Sequence, residues 1–118
     1  VQYVAAALVN EIKVLAHPAS IDSIPTSAGM EDFVSMGVTS AHKVRRIIEM
    51  TQQILAIELL CAAQLLDFRL PLTPGVGVQQ AHRLVRSYVT KLEEDRVLTP
   101  DIEKITLAIR EGVFARLE

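Results

Sequence analysis

Apolar positions along the chain fall into four periodic stretches separated by three breaks. Over residues 1–15, Val4, Leu8, Ile12 and Leu15 recur at the spacing of one helix face. A second run, over about 40–68, contains neither proline nor glycine, so nothing in it should interrupt a helix. A third, over 78–92, groups Ala81, Leu84, Val85, Tyr88 and Leu92 on one side. A fourth, over 100–117, groups Ile102, Ile105, Ile109 and Val113. The pattern predicts an all-α segment over 1–118, a long-helix bundle interrupted by one extended, ordered loop at 16–39.

Local signals place the boundaries. His17-Pro18 stops the first helix, because a residue before proline is pushed away from helical angles. No capping residue precedes that helix, so it reads as cut rather than begun. Thr39 or Ser40 is the candidate N-cap of the second helix. Pro71, Pro74, Gly75 and Gly77 make Arg69 to Gly77 a connection. At the fourth helix Thr99 fits the N-cap, Pro100 the first turn, and Asp101 and Glu103 the positive end of the dipole.

The second helix carries an implication of its own. It would run about 45 Å, longer than the roughly 35 Å diameter of a compact domain of this size. Its second half, ILAIELLCAAQLL, is apolar nearly all round, and such a helix is buried on every side. Three short neighbours cannot surround it. Missing partners are expected: further chain, other subunits, or both.

Composition narrows the function classes. Half the residues are hydrophobic and only 4% aromatic, so the core must be aliphatic. A net charge of −2 argues against a nucleic-acid surface, which needs clustered Lys and Arg. The single cysteine, Cys61, forms no internal disulfide, and its apolar surroundings suggest a small buried side chain in a reducing compartment. The apolar run Ile54–Leu66, interrupted by Glu58 and Gln64, falls short of the roughly 20 residues of a membrane span. No basic segment followed by an apolar core opens the chain. A soluble, cytoplasmic protein is expected.

The loop is the place to look for chemistry. Ser, Thr and Asp favour turns over helix interiors, while Ile21, Ile24, Met30, Phe33, Val34 and Met36 offer apolar anchors along it. Ordered loops of this length are uncommon unless functional. Glu31-Asp32 lies beside Phe33-Val34, where a carboxylate can accept a hydrogen bond from a polar ligand; a solvated loop acid is the plain alternative. His17, His42 and His82 show no metal spacing, and His17 suits a side-chain hydrogen bond at the loop's entry. Lys43, Arg45 and Arg46 read as a solvated helix face. Gly75-Val76-Gly77 lacks the third glycine and preceding strand of a dinucleotide loop.

NEIKVLAHPASIDSIPTSAGMEDFVSMG, ILAIELLCAAQLLDFR and EDRVLTPDIEK together resemble the C-terminal part of the aromatic amino acid ammonia-lyases, and within them the branch acting on histidine. The resemblance runs essentially end to end. It implies a fragment of an ammonia-lyase fold, from a mostly helical homotetramer with a shared bundle of long helices, and at least a dimer for this piece. It implies elimination of ammonia from histidine to give trans-urocanate by a methylidene-imidazolone electrophile made from an internal Ala-Ser-Gly. No such triplet occurs here; Pro18-Ala19-Ser20-Ile21 and Thr26-Ser27-Ala28-Gly29 come nearest. The piece should therefore be inactive alone and hold no catalytic residue.

The resemblance carries Glu31 over as substrate-binding, with Met30 beside it, against the substrate imidazole. Where the family usually reads Asn-Gln-Glu-Asp-His, this chain has Gly29-Met30-Glu31-Asp32-Phe33, losing two amides and a histidine. Phenylalanine and tyrosine lyases tend to carry glutamine near this position, so Glu31 favours histidine. A related lyase or aminomutase is one alternative, and a non-catalytic, self-associating helical module another.

Overall fold

The computed structural model describes residues 1–21 and 23–116. Its elements are α1 (Gln2–Leu15), α2 (Gly37–Asp67), α3 (Val76–Tyr88) and α4 (Thr99–Arg110), with 3-10 turns at Ala19–Ile21, Ser27–Gly29 and Val113–Arg116. The architecture is all-α. Among the described residues the one β-type pairing is an isolated bridge between Thr26 and Glu31.

Two helix starts differ from the sequence expectation for the same reason. The Ser40 N–H bonds the Met36 carbonyl at 3.0 Å, so α2 begins at Gly37 and encloses Thr39 and Ser40 instead of using them as caps. At α4 the Ile102 N–H bonds the Leu98 carbonyl at 3.0 Å, which makes Leu98 the cap and Thr99 the first helical residue. In both places the backbone ladder closes before the hydroxyl side chain, by about a turn at α2 and by one residue at α4. Pro100 still falls where its missing N–H is not required.

Two helix ends also differ. After Tyr88 the chain turns extended at Val89 (φ −138°, ψ 126°), leaving Leu92 in the connection. After Arg110, Gly112 takes φ +71°, a left-handed position that ends helices at low cost for glycine. The expected helix over 100–117 is thus broken, and its last position, Leu117, lies outside the described residues.

The chain divides into two compact units, Val1–Thr51 and Gln52–Glu118, with the boundary inside α2. In the second unit Ala56, Ala63, Val85, Val89 and Ile105 form the buried core, and Leu59, Leu60, Ile102, Ile109 and Phe114 pack against it. The alanines put a flat stripe of α2 against residues from α3 and α4. Ile57, on a neighbouring side of the helix, is also buried. Leu55 and Leu65 are 44% and 58% exposed, and Cys61 is exposed rather than buried. Within this chain, α2 is not enclosed on every side.

In the first unit no residue of α1 is buried; Leu8, Ile12 and Leu15 are half-buried and Tyr3, Val4 and Val14 exposed. Apolar length is greatest at Gln2–Ile21, 20 residues that meet the length and composition of a membrane span, and not at Ile54–Leu66. The α-helix there has 14 residues, about 21 Å against the roughly 30 Å of a bilayer core. Pro18 follows it.

Candidate functional site

The loop between α1 and α2 is held by polar bonds rather than by the apolar anchors expected. Ile21, Ile24, Met30 and Phe33 are 62–87% exposed; Val34 and Met36 are half-buried. In their place the Val34 N–H donates to Ser23 Oγ at 2.7 Å. Asp22, which opens the Asp-Ser-Ile-Pro-Thr-Ser motif, lies outside the described residues.

The tightest feature of the loop is the turn from Thr26 to Glu31. The Thr26 N–H donates to the Glu31 carbonyl at 2.7 Å, and the Glu31 N–H returns to the Thr26 carbonyl at 3.2 Å. Inside this closure the Gly29 N–H bonds the Thr26 carbonyl and the Met30 N–H bonds that of Ser27, both at 3.1 Å. Closing so short a turn requires three successive left-handed residues: Ser27 (φ 51°), Ala28 (φ 56°) and Gly29 (φ 85°). Glycine takes this freely, whereas an L-residue gives up about 1–2 kcal/mol. Such strain concentrates at functional sites, where surrounding bonds over-determine the backbone.

The turn fixes the side chain of Glu31 as well as its backbone. Thr26 Oγ1 donates to Glu31 Oε2 at 3.3 Å. Met30 and Phe33, both exposed, flank the carboxylate in sequence with apolar surface. The arrangement offers an incoming ligand an anionic acceptor on a rigid backbone, bordered by apolar side chains. Asp32 is exposed beside it.

Other candidates resolve into structural roles. His17 contributes its backbone carbonyl, not its side chain: Lys43 Nζ donates to that oxygen and ties α2 to the end of α1. His42 is exposed. Arg46 sits 3.6 Å from Glu11, and Arg45 3.6 Å from Glu49, so the basic run is solvated yet partnered. A cleft of about 270 Å³ borders Leu15, Pro18, Lys43 and Ile47. Gly75 caps α3 and Gly77 lies within it.

The second unit holds a polar cluster with no local sequence signature. Asp67, at the end of α2, accepts from His82 Nε2 at 2.8 Å through Oδ1, and from Arg86 Nε and Nη2 at 3.0 and 2.6 Å through Oδ2. Its side chain is 8% exposed. Burial pushes the Asp67 carboxyl up, but hydrogen bonds and charge from Arg86 and His82 together outweigh it and hold its pKa below the ordinary carboxylate value. Gln64 extends the cluster: its Oε1 accepts from the Leu92 N–H at 3.0 Å and its Nε2 donates to the Leu92 carbonyl at 3.0 Å. A like arrangement orders the next connection, where Arg96 donates to Asp101 Oδ2 at 2.9 Å and to the Thr90 carbonyl at 3.0 Å.

Comparison with known proteins identifies the setting of this loop. Residues 1–87 match the family described as aromatic amino acid lyase. The chain belongs to that family. A histidine ammonia-lyase of Natranaerobius thermophilus is 56% identical over 94% of the chain, and one of Gloeobacter violaceus 52% over the same share; the chain spans 22% of each. The crystal structure of histidine ammonia-lyase from Trypanosoma cruzi superposes on 97% of the chain with a TM-score of 0.92 and 46% identity, and 23% of that protein is matched. Tyrosine aminomutase from Streptomyces globisporus superposes on 98% with a TM-score of 0.90 and 38% identity. The 118 residues are thus an all-α lyase segment about a fifth as long as the relatives it matches.

Proposed function

We propose that the chain is the C-terminal segment of a histidine ammonia-lyase, and that the whole enzyme removes ammonia from L-histidine to give trans-urocanate in histidine catabolism. The observation that carries this reading is the more than 50% identity to histidine ammonia-lyases across nearly the whole chain. The segment gives helix surface to a homotetramer core, at least a dimer where it stands alone, and gives the Glu31 loop to a cytoplasmic enzyme's active site.

In that site Glu31 accepts the substrate's imidazole N–H, or exchanges a proton with it, which a carboxylate at neutral pH is suited to do. Met30 lines the same position with apolar surface. When present, the methylidene-imidazolone group supplies the electrophile of such lyases; this chain has no Ala-Ser-Gly to form it and contributes no residue to its making. On its own the segment does not catalyse.

Replacing Glu31 by Gln in the full-length enzyme tests the reading. Urocanate formation should fall at least about tenfold, a loss of roughly 1.4 kcal/mol in transition-state stabilisation. Wild-type turnover would remove Glu31 from the site. The likeness to a tyrosine aminomutase supports a second substrate reading: Met30 and Phe33 replace polar residues, so tyrosine should be offered alongside histidine. A third reading, a self-associating module without chemistry, draws on the exposed Leu55 and Leu65 of α2.

A further inference from the structure

The Thr26–Glu31 turn points to a positioning residue beside the substrate-binding one. We propose that Thr26 orients Glu31: its hydroxyl occupies Oε2, so that Oε1 is presented to an N–H donor of the ligand. The proposal rests on the reading that Glu31 meets the substrate.

Three observations carry it. The hydroxyl reaches Glu31 Oε2 at 3.3 Å, across a turn whose ends are locked by two backbone bonds of 2.7 and 3.2 Å. The backbone bonds hold residues 26 and 31 opposite each other, so the two side chains stay within reach. Second, Ser27 and Ala28 adopt left-handed angles without being glycine, so the chain accepts strain in order to bring residues 26 and 31 together. Third, Met30, Asp32 and Phe33 are exposed, and among the described residues Thr26 is the side chain that reaches the Glu31 carboxylate. A flexible glutamate has three rotatable bonds, and a ligand that had to freeze them would bind less well. One hydroxyl on one oxygen removes much of that freedom and leaves the acceptor capacity of the other.

The test uses the full-length enzyme with histidine as substrate. Thr26→Val keeps the shape and the backbone bridge but removes the donor; Thr26→Ser keeps the donor. We expect kcat/KM to fall about tenfold in T26V and to stay within about twofold of wild type in T26S. In a Glu31→Gln background, T26V should cost less than about twofold, because the oriented group is gone. A full tenfold loss from T26V on top of E31Q, or equal loss in T26V and T26S, would mean a structural effect and overturn the proposal. Unchanged kcat/KM in T26V with a defective E31Q overturns it while sparing the reading of Glu31. Wild-type activity in E31Q overturns that reading first. Should T26V not fold, Thr26→Asn, which keeps a donor on a longer arm, replaces it; activity equal to T26S would then count against a placement requirement.

Discussion

Asp67 and Glu31 are both carboxylates held by side-chain donors, yet the structure uses them in opposite ways. The Asp67 side chain is largely covered, and each of its oxygens is bonded, one by His82 and the other by Arg86. Glu31 is exposed and has one oxygen bonded by Thr26. A saturated carboxylate between two helices can only hold them; an unsaturated one on a rigid turn has acceptor capacity left for a ligand. The distinction lies in the satisfaction of lone pairs, not in residue type. It separates an acid that ties two helices together from one left with open acceptor capacity within 118 residues.

The largest effect should come from emptying the saturated site. Asp67→Ala leaves Arg86, 16% exposed, without its charge partner, and breaking such a pair costs about 3 kcal/mol. Chemical denaturation of the full-length protein would register this as a lowered midpoint. The double change Asp67→Leu with Arg86→Met should recover much of the loss, because no charge is then left buried. A single-variant cost under about 1 kcal/mol would show that the cluster is solvated in solution and erase the contrast with Glu31.

This cluster also marks where sequence reading stops. The four helices and the loop followed from periodicity, proline and glycine, whereas Glu31 was singled out by the family resemblance. Asp67, His82 and Arg86 are 15 and 19 positions apart across a connection, and no local pattern pairs residues at such distances. His82 therefore read as a histidine in a surface or structural role, with no partner named. The left-handed Ser27 and Ala28 were equally hidden, since only Gly29 carries a residue-level signal for that conformation. Gly112 did carry one: a glycine following Arg110-Glu111 fits a helix C-terminus, and the apolar spacing that continued to Val113 masked it. The exposed sides of α1 and α2 show the reverse case. Their apolar pattern is legible, while among the described residues their outer faces stay exposed.

A smaller effect, tied to pH, sharpens the same comparison. The Asp67 carboxyl is held below its ordinary value, so the folded state binds protons less readily there than the unfolded chain. Its stabilisation is complete above the unfolded carboxylate pKa, about 3.9, and is lost as pH falls through the lower folded value. The stability difference between wild type and Asp67→Asn should thus be present at pH 6 and narrow below about pH 4. A gap that widened on acidification would reverse the assigned direction.

The smallest effect concerns the strain that holds Glu31 in place. Ala28 sits at φ 56° and ψ 34°, where an L-residue gives up about 1–2 kcal/mol. Glycine relieves that strain but adds about 0.5–1 kcal/mol of unfolded-state entropy. Ala28→Gly should therefore raise stability by no more than about 1 kcal/mol, whereas Ala28→Val, β-branched and worse suited to this region, should lower it. Opposite signs in a denaturation series would confirm that the turn is closed against its own preference by the Thr26–Glu31 bridge. Equal losses would mean that position 28 is not left-handed in solution, and the rigid presentation of Glu31 would lose its backbone support. Activity adds a second reading of the same pair. A glycine that leaves the bridge intact but widens the turn's motion should lower kcat/KM while stability rises, since the rigidity serves Glu31 and not the fold.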